Sequence, residues 1–373
     1  MSKLILPDYN NSICSLLTEE LNVFNVENGG KGLNLDLKAG RKTSTVFLDG
    51  FGWNLFSKTK YFSTLNSRKI SSVFPSSTDT ASLSLVSGLN PGMHGLIGYK
   101  AFLKLTGAVV KPLENTYASA FHSNNLLSRI GKLKDMLRVK TVFDYLSKNK
   151  INSVAITPDF TVNSSFSSLI FSGAKEIIGY ENIWDAFYVY RKALDNNAVK
   201  FIHFYIPYID TLEHMYGYEN LEIKEASEYI LEKLINLNKG RKTNTIITAD
   251  HGHKTVNSMV DLSMDKKLIK KLELPPYGDT RAPLFRSRYD IKEDLKKYNM
   301  KVFGREEREL LLGKIGKGVE DLMPDFMGAA EEDFGFTFNY KLDKTRERNE
   351  KDEPASNHGG LSADEMEIPI ITV

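Results

Sequence analysis

Short apolar runs alternate with longer amphipathic segments along most of the chain. The short runs have the length of buried strands, and the longer segments have the spacing of helices. Strands that alternate with helices are typical of a mostly parallel sheet. We therefore predict an α/β fold with a mostly parallel sheet covered by helices on both faces. The predicted strands are 44–48, 70–74, 153–156, 199–206 and 243–248, and the predicted helices are 81–87, 141–149, 184–194 and 221–237.

Two stretches interrupt this alternation. Residues 100–140 are polar and irregular, and we interpret them as an excursion over the face of the sheet that carries the site. Residues 286–348 are rich in charged residues and glycine, and we interpret them as an inserted cap. The chain is then expected to be a single α/β domain, residues 1–373, with two insertions.

Side chains that can bind metal ions stand at the ends of predicted strands. Asp49 follows the strand 44–48, and both Asp250 and His251 follow the strand 243–248. Asp210 and His214 are four residues apart, so in a helical turn their side chains fall on one face. Ligands of open α/β sheets bind beyond the carboxyl ends of the strands, so we expect these side chains to share one site.

Thr78 precedes the predicted helix that runs to Ser87. A threonine hydroxyl becomes a nucleophile only with the help of a base or a metal ion. The free N–H groups and the positive dipole end of a helix start favour such an oxygen and an incoming phosphoryl group. Taken alone, Thr78 is better explained as a helix cap. Its occurrence with the carboxylates and imidazoles favours the nucleophile instead.

Two further histidines lie near these segments. His358 stands in NHGGLS, more than a hundred residues after the other motifs, and we expect it to return to the same site. His253 follows His251 by two residues, and we interpret it as a neighbour of the ligands rather than a ligand. A hydroxyl, carboxylates and imidazoles together are the inventory of a two-metal site for phosphoryl transfer.

Composition and charge exclude several other classes of protein. Lys and Arg number 49 against 47 Asp and Glu, so the net charge of +2 provides no strong field to recruit nucleic acid. Cys14 is the only cysteine, which excludes an intrachain disulfide and a cysteine-based metal cluster. No stretch approaches the ~20 apolar residues of a membrane span, and the amino terminus does not have the pattern of a signal peptide. We expect a cytoplasmic protein without a membrane partner and make no prediction of its oligomeric state.

The motifs resemble a known superfamily in their order and residue types. FPSSTDTASLSLVSGLNPGMHGLIGY around Thr78 is similar to the nucleophile segment of type I phosphodiesterases and nucleotide pyrophosphatases, within the alkaline phosphatase superfamily. VFLDGFG, D-x-x-x-H-x-x-G at 210–217, DHG at 250–252 and HGGLSADEMEIPIITV supply the remaining motifs. The resemblance spans residues 44–373.

This resemblance implies a cofactor of two divalent metal ions. The family usually uses zinc, and mixed carboxylate and imidazole ligands suit zinc or manganese better than calcium. The implied ligands are Asp210, His214 and His358 for one ion, and Asp49, Thr78, Asp250 and His251 for the other.

The chain departs from the family pattern at Ala81. Well-known nucleotide pyrophosphatases have an asparagine at this position, three residues after the nucleophile, where it holds a phosphate oxygen. Arg281 in PPYGDTRAPLF could bind phosphate in its place, or it could form a structural salt bridge. His94 is also a family position, for which we expect a packing or supporting role.

These observations together predict a two-metal hydrolase that uses Thr78 to cleave phosphodiester or pyrophosphate bonds. A metal-dependent phosphomonoesterase and an inactive binding protein with the same fold remain alternatives. The expected partner is a small phosphoester or nucleotide. We expect substrate choice to lie in residues 100–140 and 286–348, which carry or directly adjoin aromatic and basic residues: Tyr117, Phe121, Phe285 and Arg288.

Overall fold

A seven-stranded central sheet organises the fold. The computed structural model describes residues 4–120, 132–137, 139–340 and 354–373. The strand Glu367–Thr372 pairs antiparallel with both of its neighbours, and the other neighbouring strands pair in parallel. The predicted mostly parallel sheet is therefore confirmed. In spatial order the strands are Asn66–Ser71, Glu367–Thr372, Thr243–Thr248, Lys42–Leu48, Phe201–Ile206, Ser153–Pro158 and Glu176–Tyr180.

Helices cover both faces of this sheet, as predicted. The ring of Phe143 lies 5.8 Å from that of Phe201, whereas the ring of Tyr190 stacks on Phe204 at 4.7 Å. Residues 201 and 204 point to opposite faces of their strand, so the helices that carry Phe143 and Tyr190 lie on opposite sides. None of the described helices is both long and apolar enough to cross a membrane. The longer helices are Leu16–Asn22, Thr78–Ser87, Val142–Lys148, Ser165–Ile170, Ile183–Asp195, Tyr208–Tyr216 and Leu221–Asn238.

Two strands of the central sheet were not predicted from the sequence, and a third is displaced from its predicted position. The strand Glu176–Tyr180 is short, and Glu367–Thr372 is interrupted by proline. The strand predicted at 70–74 instead spans Asn66–Ser71. Its sequence NSRKIS is mostly polar because it lies at the edge of the sheet, where side chains meet solvent.

The protein also contains a smaller antiparallel sheet, separate from the central one. Its hairpin begins at Tyr277, so this sheet extends across the cap boundary that we predicted at residue 286. Residues 341–348 of the predicted cap, and 121–131 and 138 of the predicted excursion, lie outside the described residues. The strands of the smaller sheet are Tyr277–Asp279, Ala282–Phe285, Phe326–Ala330 and Met300–Phe303, and the excursion forms the strands Ala101–Leu103, Ala108–Lys111 and Thr116–Tyr117.

Arg281 joins this smaller sheet to the segment that carries His358. Its Nε donates a hydrogen bond to Glu365 Oε1 at 2.8 Å, and Glu365 also accepts the N–H of Gly360 at 2.7 Å. Its Nη1 and Nη2 atoms donate one hydrogen bond each, to the carbonyls of Phe334 and Ala330 respectively. The side chain of Arg281 is fully buried by these contacts. Arg281 therefore forms the structural salt bridge that we gave as the alternative to phosphate binding.

Removing this guanidinium is expected to destabilise the fold. Arg281→Ala leaves the Glu365 carboxylate buried without its ionic partner, so we expect a loss of about 3–5 kcal/mol in the free energy of unfolding. Arg288→Ala is the matched control, because Arg288 pairs with Glu273 through an exposed side chain, and it is expected to change that free energy by less than about 1 kcal/mol. Denaturant unfolding measures both. Unchanged stability in Arg281→Ala, together with weakened phosphate binding, would restore the substrate-binding role.

Candidate active site

Two carboxylates meet where neighbouring parallel strands end. Asp49 directly follows the strand Lys42–Leu48, and Asp250 follows the adjacent strand Thr243–Thr248. Asp250 Oδ1 accepts hydrogen bonds from the backbone N–H groups of Gly50 and His251, each at 3.0 Å. These bonds lock the two turns together and hold both carboxylates in the interior of the protein.

Gly50 makes this arrangement sterically possible. Its φ of +77° is readily adopted only without a side chain. A Cβ atom at this position would lie 2.8 Å from the Cα of Asp210, closer than real contacts allow. The glycine therefore lets the helix Tyr208–Tyr216 approach the strand end, which brings Asp210 beside Asp49.

The ligands predicted for one ion are close together in the structure. Thr78 Oγ1 lies 3.3 Å from Asp49 Oδ1 and 3.3 Å from His251 Nε2. His251 Nε2 in turn lies 3.4 Å from Asp250 Oδ2. Tyr205, which the sequence analysis did not single out, donates its hydroxyl to Asp49 Oδ2. Thr78 is the first residue of its helix, where backbone N–H groups have no partner within the helix.

The ligands predicted for the other ion also converge. Asp210 Oδ1 lies 3.3 Å from His214 Nε2 and 3.8 Å from His358 Nε2. His253 Nε2 lies nearer still, 2.7 Å from Asp210 Oδ1. Ligand atoms of Asp210, His214, His253 and His358 all lie within 4.8 Å of one another, as do those of Asp49, Asp210 and His251.

His253 is therefore more than the neighbour that we expected. It belongs to the set that can hold an ion, and it contacts Asp210 more closely than either predicted histidine does. The signal was available in the sequence, because residues two apart in an extended segment point the same way. The rings of His251 and His253 are indeed 5.5 Å apart.

The imidazoles are oriented as metal ligands are. The Nδ1 atom of His214 lies 3.0 Å from the carbonyl of Ser356, and that of His358 lies 3.1 Å from the carbonyl of Ser76. The Nδ1 atom of His251 similarly faces the carbonyl of Gly252 at 3.3 Å. Carbonyls only accept hydrogen bonds, so each Nδ1 carries the proton and each Nε2 presents a lone pair to the cluster.

The electrostatics of the cluster also fit bound cations. Asp250 Oδ2 is buried and has no hydrogen-bond partner among the described residues. The pKa of Asp49 is raised well above its usual range, mainly by burial and then by the nearby carboxylates of Asp250 and Asp210. The pKa of His358 is lowered well below its usual range, mainly by burial and then by the electrostatic effect of His251 and His253. A divalent cation would satisfy the orphaned oxygen and offset the repulsion between carboxylates, so the residues present fit metal ions.

Two cavities flank Thr78. One, of about 320 Å³, is polar and is also lined by Asp210, His214 and His358. The other, of about 370 Å³, is mostly apolar. Its wall comes from the sheet and from the segment 157–171, including Phe47, Phe160, Phe166, Ile170, Phe171 and His203.

These walls differ in part from the expected ones. Lys100 and Leu113 of the excursion contribute to these walls, as does Tyr99, which directly precedes it. The described residues of the segment 286–340 line neither cavity. Three of the aromatic and basic residues expected to contact substrate line neither cavity: Phe285 is buried in the core of the smaller sheet, Arg288 is exposed, and Tyr117 packs at the edge of the main core. The fourth, Phe121, lies outside the described residues.

Ala81 and His94 both belong to the scaffold. Ala81 is fully buried and lines neither cavity, so no side chain reaches phosphate from the position of the family asparagine. His94 Nδ1 accepts the N–H of Leu96 at 3.1 Å, so its Nε2 donates to Ser84 Oγ at 2.9 Å. Burial lowers the pKa of His94 to about 3, which keeps it neutral. The packing role expected for His94 agrees with these contacts.

Comparisons with known proteins agree with the fold. A family model for type I phosphodiesterase/nucleotide pyrophosphatase matches residues 45–361. No curated protein matches the sequence. Murine ectonucleotide pyrophosphatase/phosphodiesterase 5 superposes with a TM-score of 0.66 at 16% identity, over 89% of this chain and 88% of that chain. An inactive form of that protein in complex with AMP gives 0.65 at 15% identity, over 89% and 87%.

A bacterial enzyme has the same fold. Phosphonoacetate hydrolase from Sinorhizobium meliloti, in complex with phosphonoacetate, superposes with a TM-score of 0.65 at 17% identity, over 89% of each chain. At these identities the superpositions show a shared fold, whereas the family model covers most of the sequence. The chain belongs to the type I phosphodiesterase/nucleotide pyrophosphatase family of hydrolases.

Proposed function

We propose that the protein is a two-metal hydrolase of phosphodiester or pyrophosphate bonds and that Thr78 is its nucleophile. One observation carries this proposal: Thr78 Oγ1 lies 3.3 Å from a carboxylate and from an imidazole of one candidate ligand set, while the second set lines the same polar cavity. A helix cap needs no such neighbours. The mixed ligands favour zinc, with manganese as the alternative ion.

The chain supplies a nucleophile and backbone N–H donors for a double displacement at phosphorus. Thr78 Oγ1 attacks phosphorus and forms an ester bond, the bond from phosphorus to the leaving oxygen breaks, and that oxygen takes up the proton that the hydroxyl has lost. Water then cleaves the Thr78 ester. Divalent ions would lower the pKa of the nucleophile and neutralise charge that develops on the phosphoryl group. The free N–H groups at the start of the helix Thr78–Ser87 can hold a phosphoryl oxygen, a role for which Ala81 provides no side chain.

The two cavities favour a diester over a monoester. A diester has two organic groups, and Thr78 lines two cavities. The polar cavity holds the leaving group, because the candidate ligands Asp210, His214 and His358 line it and can stabilise the leaving oxygen there. The apolar cavity holds the group that stays on phosphorus. A monoester would leave this second cavity unused.

Substitution of Thr78 tests the nucleophile. Because the hydroxyl forms the covalent bond, Thr78→Ala is expected to lower kcat by at least about 1,000-fold on a p-nitrophenyl diester. Thr78→Ser keeps a hydroxyl and is expected to retain measurable activity. Circular dichroism and metal content should be unchanged in both variants. Wild-type kcat in Thr78→Ala would show that water attacks directly, and a wild-type protein inactive on every phosphoester would favour the binding-protein alternative.

Metal content provides a second test. Elemental analysis of the purified protein is expected to give about two divalent ions per chain, and chelation should abolish hydrolysis. Asp250→Asn removes the negative charge of the carboxylate whose Oδ2 atom has no partner, and it is expected to lower the metal content by about one ion per chain. Asp36→Asn is the control, since the Asp36 side chain is 86% exposed, and it should retain both ions. A metal-free protein with full activity would contradict the proposal.

The apolar cavity is tested at its mouth. Phe160 lines the cavity and is 85% exposed, so Phe160→Ala should leave the fold intact. We expect kcat/KM for bis(p-nitrophenyl) phosphate to fall about tenfold, as the loss of one aromatic contact allows, and to fall much less for p-nitrophenyl phosphate. Trp184→Ala, at another aromatic residue with 70% exposure, is the control. Equal losses for both substrates would show that the cavity does not hold the second ester group.

A further inference from the structure

His253 presents a free lone pair to the candidate metal cluster. Ser356 Oγ lies 2.7 Å from the carbonyl oxygen of Glu213 and 3.0 Å from His253 Nδ1. A carbonyl only accepts hydrogen bonds, so the single hydroxyl proton of Ser356 goes to Glu213, and Ser356 Oγ accepts a hydrogen bond from His253 Nδ1. In the neutral imidazole Nε2 then carries no proton. Its lone pair faces Asp210 Oδ1 at 2.7 Å.

A second carboxylate oxygen lies near the same nitrogen. Glu213 Oε2 is 3.5 Å from His253 Nε2, is buried, and has no hydrogen-bond partner among the described residues. Together with Asp210 Oδ1, these atoms form a closely spaced group that can accept protons or bind a cation but repels itself when it does neither. Buried acceptors are normally paired, so either a proton or a metal ion belongs in this group.

The geometry of the rings favours a metal ion. The centroids of His214, His253 and His358 form a triangle with sides of 4.6, 5.1 and 5.2 Å, and the ring planes are inclined to one another by 57° to 78°. Imidazoles that share a tetrahedral zinc ion, with zinc–nitrogen distances of about 2.0 Å, have ring centroids roughly 5 Å apart. A salt bridge between a protonated His253 and Asp210 would not require this arrangement of the other two rings. Three imidazoles and one carboxylate thus supply four ligand atoms.

We propose that His253 is a fourth protein ligand of the ion that Asp210, His214 and His358 bind, which makes this a closed site. The inference rests on the proposed function and deepens it, because it distinguishes the two ions of the centre. Four protein ligands fill a tetrahedral coordination sphere, as in structural zinc sites, whereas catalytic sites keep one position for a reacting group. The other ion has an open site in this sense, since one of its implied ligands is the nucleophile Thr78.

The closed site and the open site should hold their ions with different strength. Imidazoles whose second ring nitrogen is hydrogen-bonded are already fixed in the orientation that metal binding needs. Ser356 fixes two of the ligands in this way, since its carbonyl faces His214 Nδ1 and its hydroxyl faces His253 Nδ1, each at 3.0 Å. We therefore expect the closed site to release its ion slowly and the open site to release its ion faster.

Release of zinc to a chelator tests this difference. Zinc-loaded wild type is mixed with excess EDTA, and the zinc that stays with the protein is measured against time. Zinc should leave in two phases of about one ion each. His253→Gln should accelerate the slow phase at least about tenfold, and Ser356→Ala, which removes the acceptor for Nδ1, should accelerate it less. His94→Gln is the control, because His94 is a buried histidine that pairs with Ser84 outside the cluster, and it should keep both phases.

Nuclear magnetic resonance gives a direct readout that does not depend on release rates or on catalysis. The wild type is loaded with NMR-active cadmium in place of zinc, and its histidines are labelled with NMR-active nitrogen. A bound ion couples to the ring nitrogen that coordinates it, so we expect a cadmium coupling at Nε2 of His253. The signal is assigned by its loss in His253→Gln. A protonated His253 would show no such coupling.

The outcomes separate this proposal from the proposed function. Two bound ions without a coupling at His253, or a slow phase that is unchanged in His253→Gln, would overturn the closed site and leave the two-metal hydrolase intact. A protein that binds two ions but hydrolyses no phosphoester would contradict the proposed function, and the coupling would still decide the role of His253. A protein that binds no divalent ion would overturn both.

Discussion

Two carboxylates forced together inside the protein are the constraint on which the rest of the site depends. Asp49 and Asp250 follow adjacent parallel strands, and both are buried. Like charges this close in a medium of low dielectric constant repel strongly unless cations or protons compensate them. The features nearby suit the binding of cations. Backbone N–H groups donate to Asp250, the imidazoles present their lone pairs to the cluster, and Gly50 leaves room for a third carboxylate, that of Asp210. The two-metal centre that we propose would compensate these charges and supply the cations for phosphoryl transfer.

The smaller sheet also helps to position the site. His358 follows the smaller sheet in the chain and returns to the central site through the segment that Arg281 and Glu365 hold in place. A buried ion pair of this kind adds little net stability, yet it fixes the position of the backbone around it. The smaller sheet thereby positions a candidate metal ligand, and its residue Asp279 also lines the polar cavity. The insertion contributes to the site through its hairpin rather than through the later segment where we expected substrate contacts.

Much of the site could be predicted from the sequence, because its geometry follows from local rules. Polar residues that end parallel strands meet at one edge of a sheet, and an i, i+4 pair on a helix shares one face, so Asp49, Asp250 and the pair Asp210 and His214 could be placed together. Long-range packing could not be predicted in this way. The pairing of Arg281 with Glu365, the apolar cavity beside residues 157–171 and the orphaned carboxylate oxygen of Glu213 depend on segments far apart in the chain. We expected His253 to be a neighbour of the ligands, and its spacing of two residues from His251 is compatible with the contact that it makes with Asp210.

The stereochemical course at phosphorus distinguishes attack by Thr78 from direct attack by water. A diester with a chiral phosphorothioate centre would be hydrolysed in isotopically labelled water, and the configuration of the product would be determined. Attack by Thr78 followed by attack of water inverts the centre twice, so the account predicts overall retention. Overall inversion would show a single displacement by water and would contradict the assignment of Thr78 as the nucleophile.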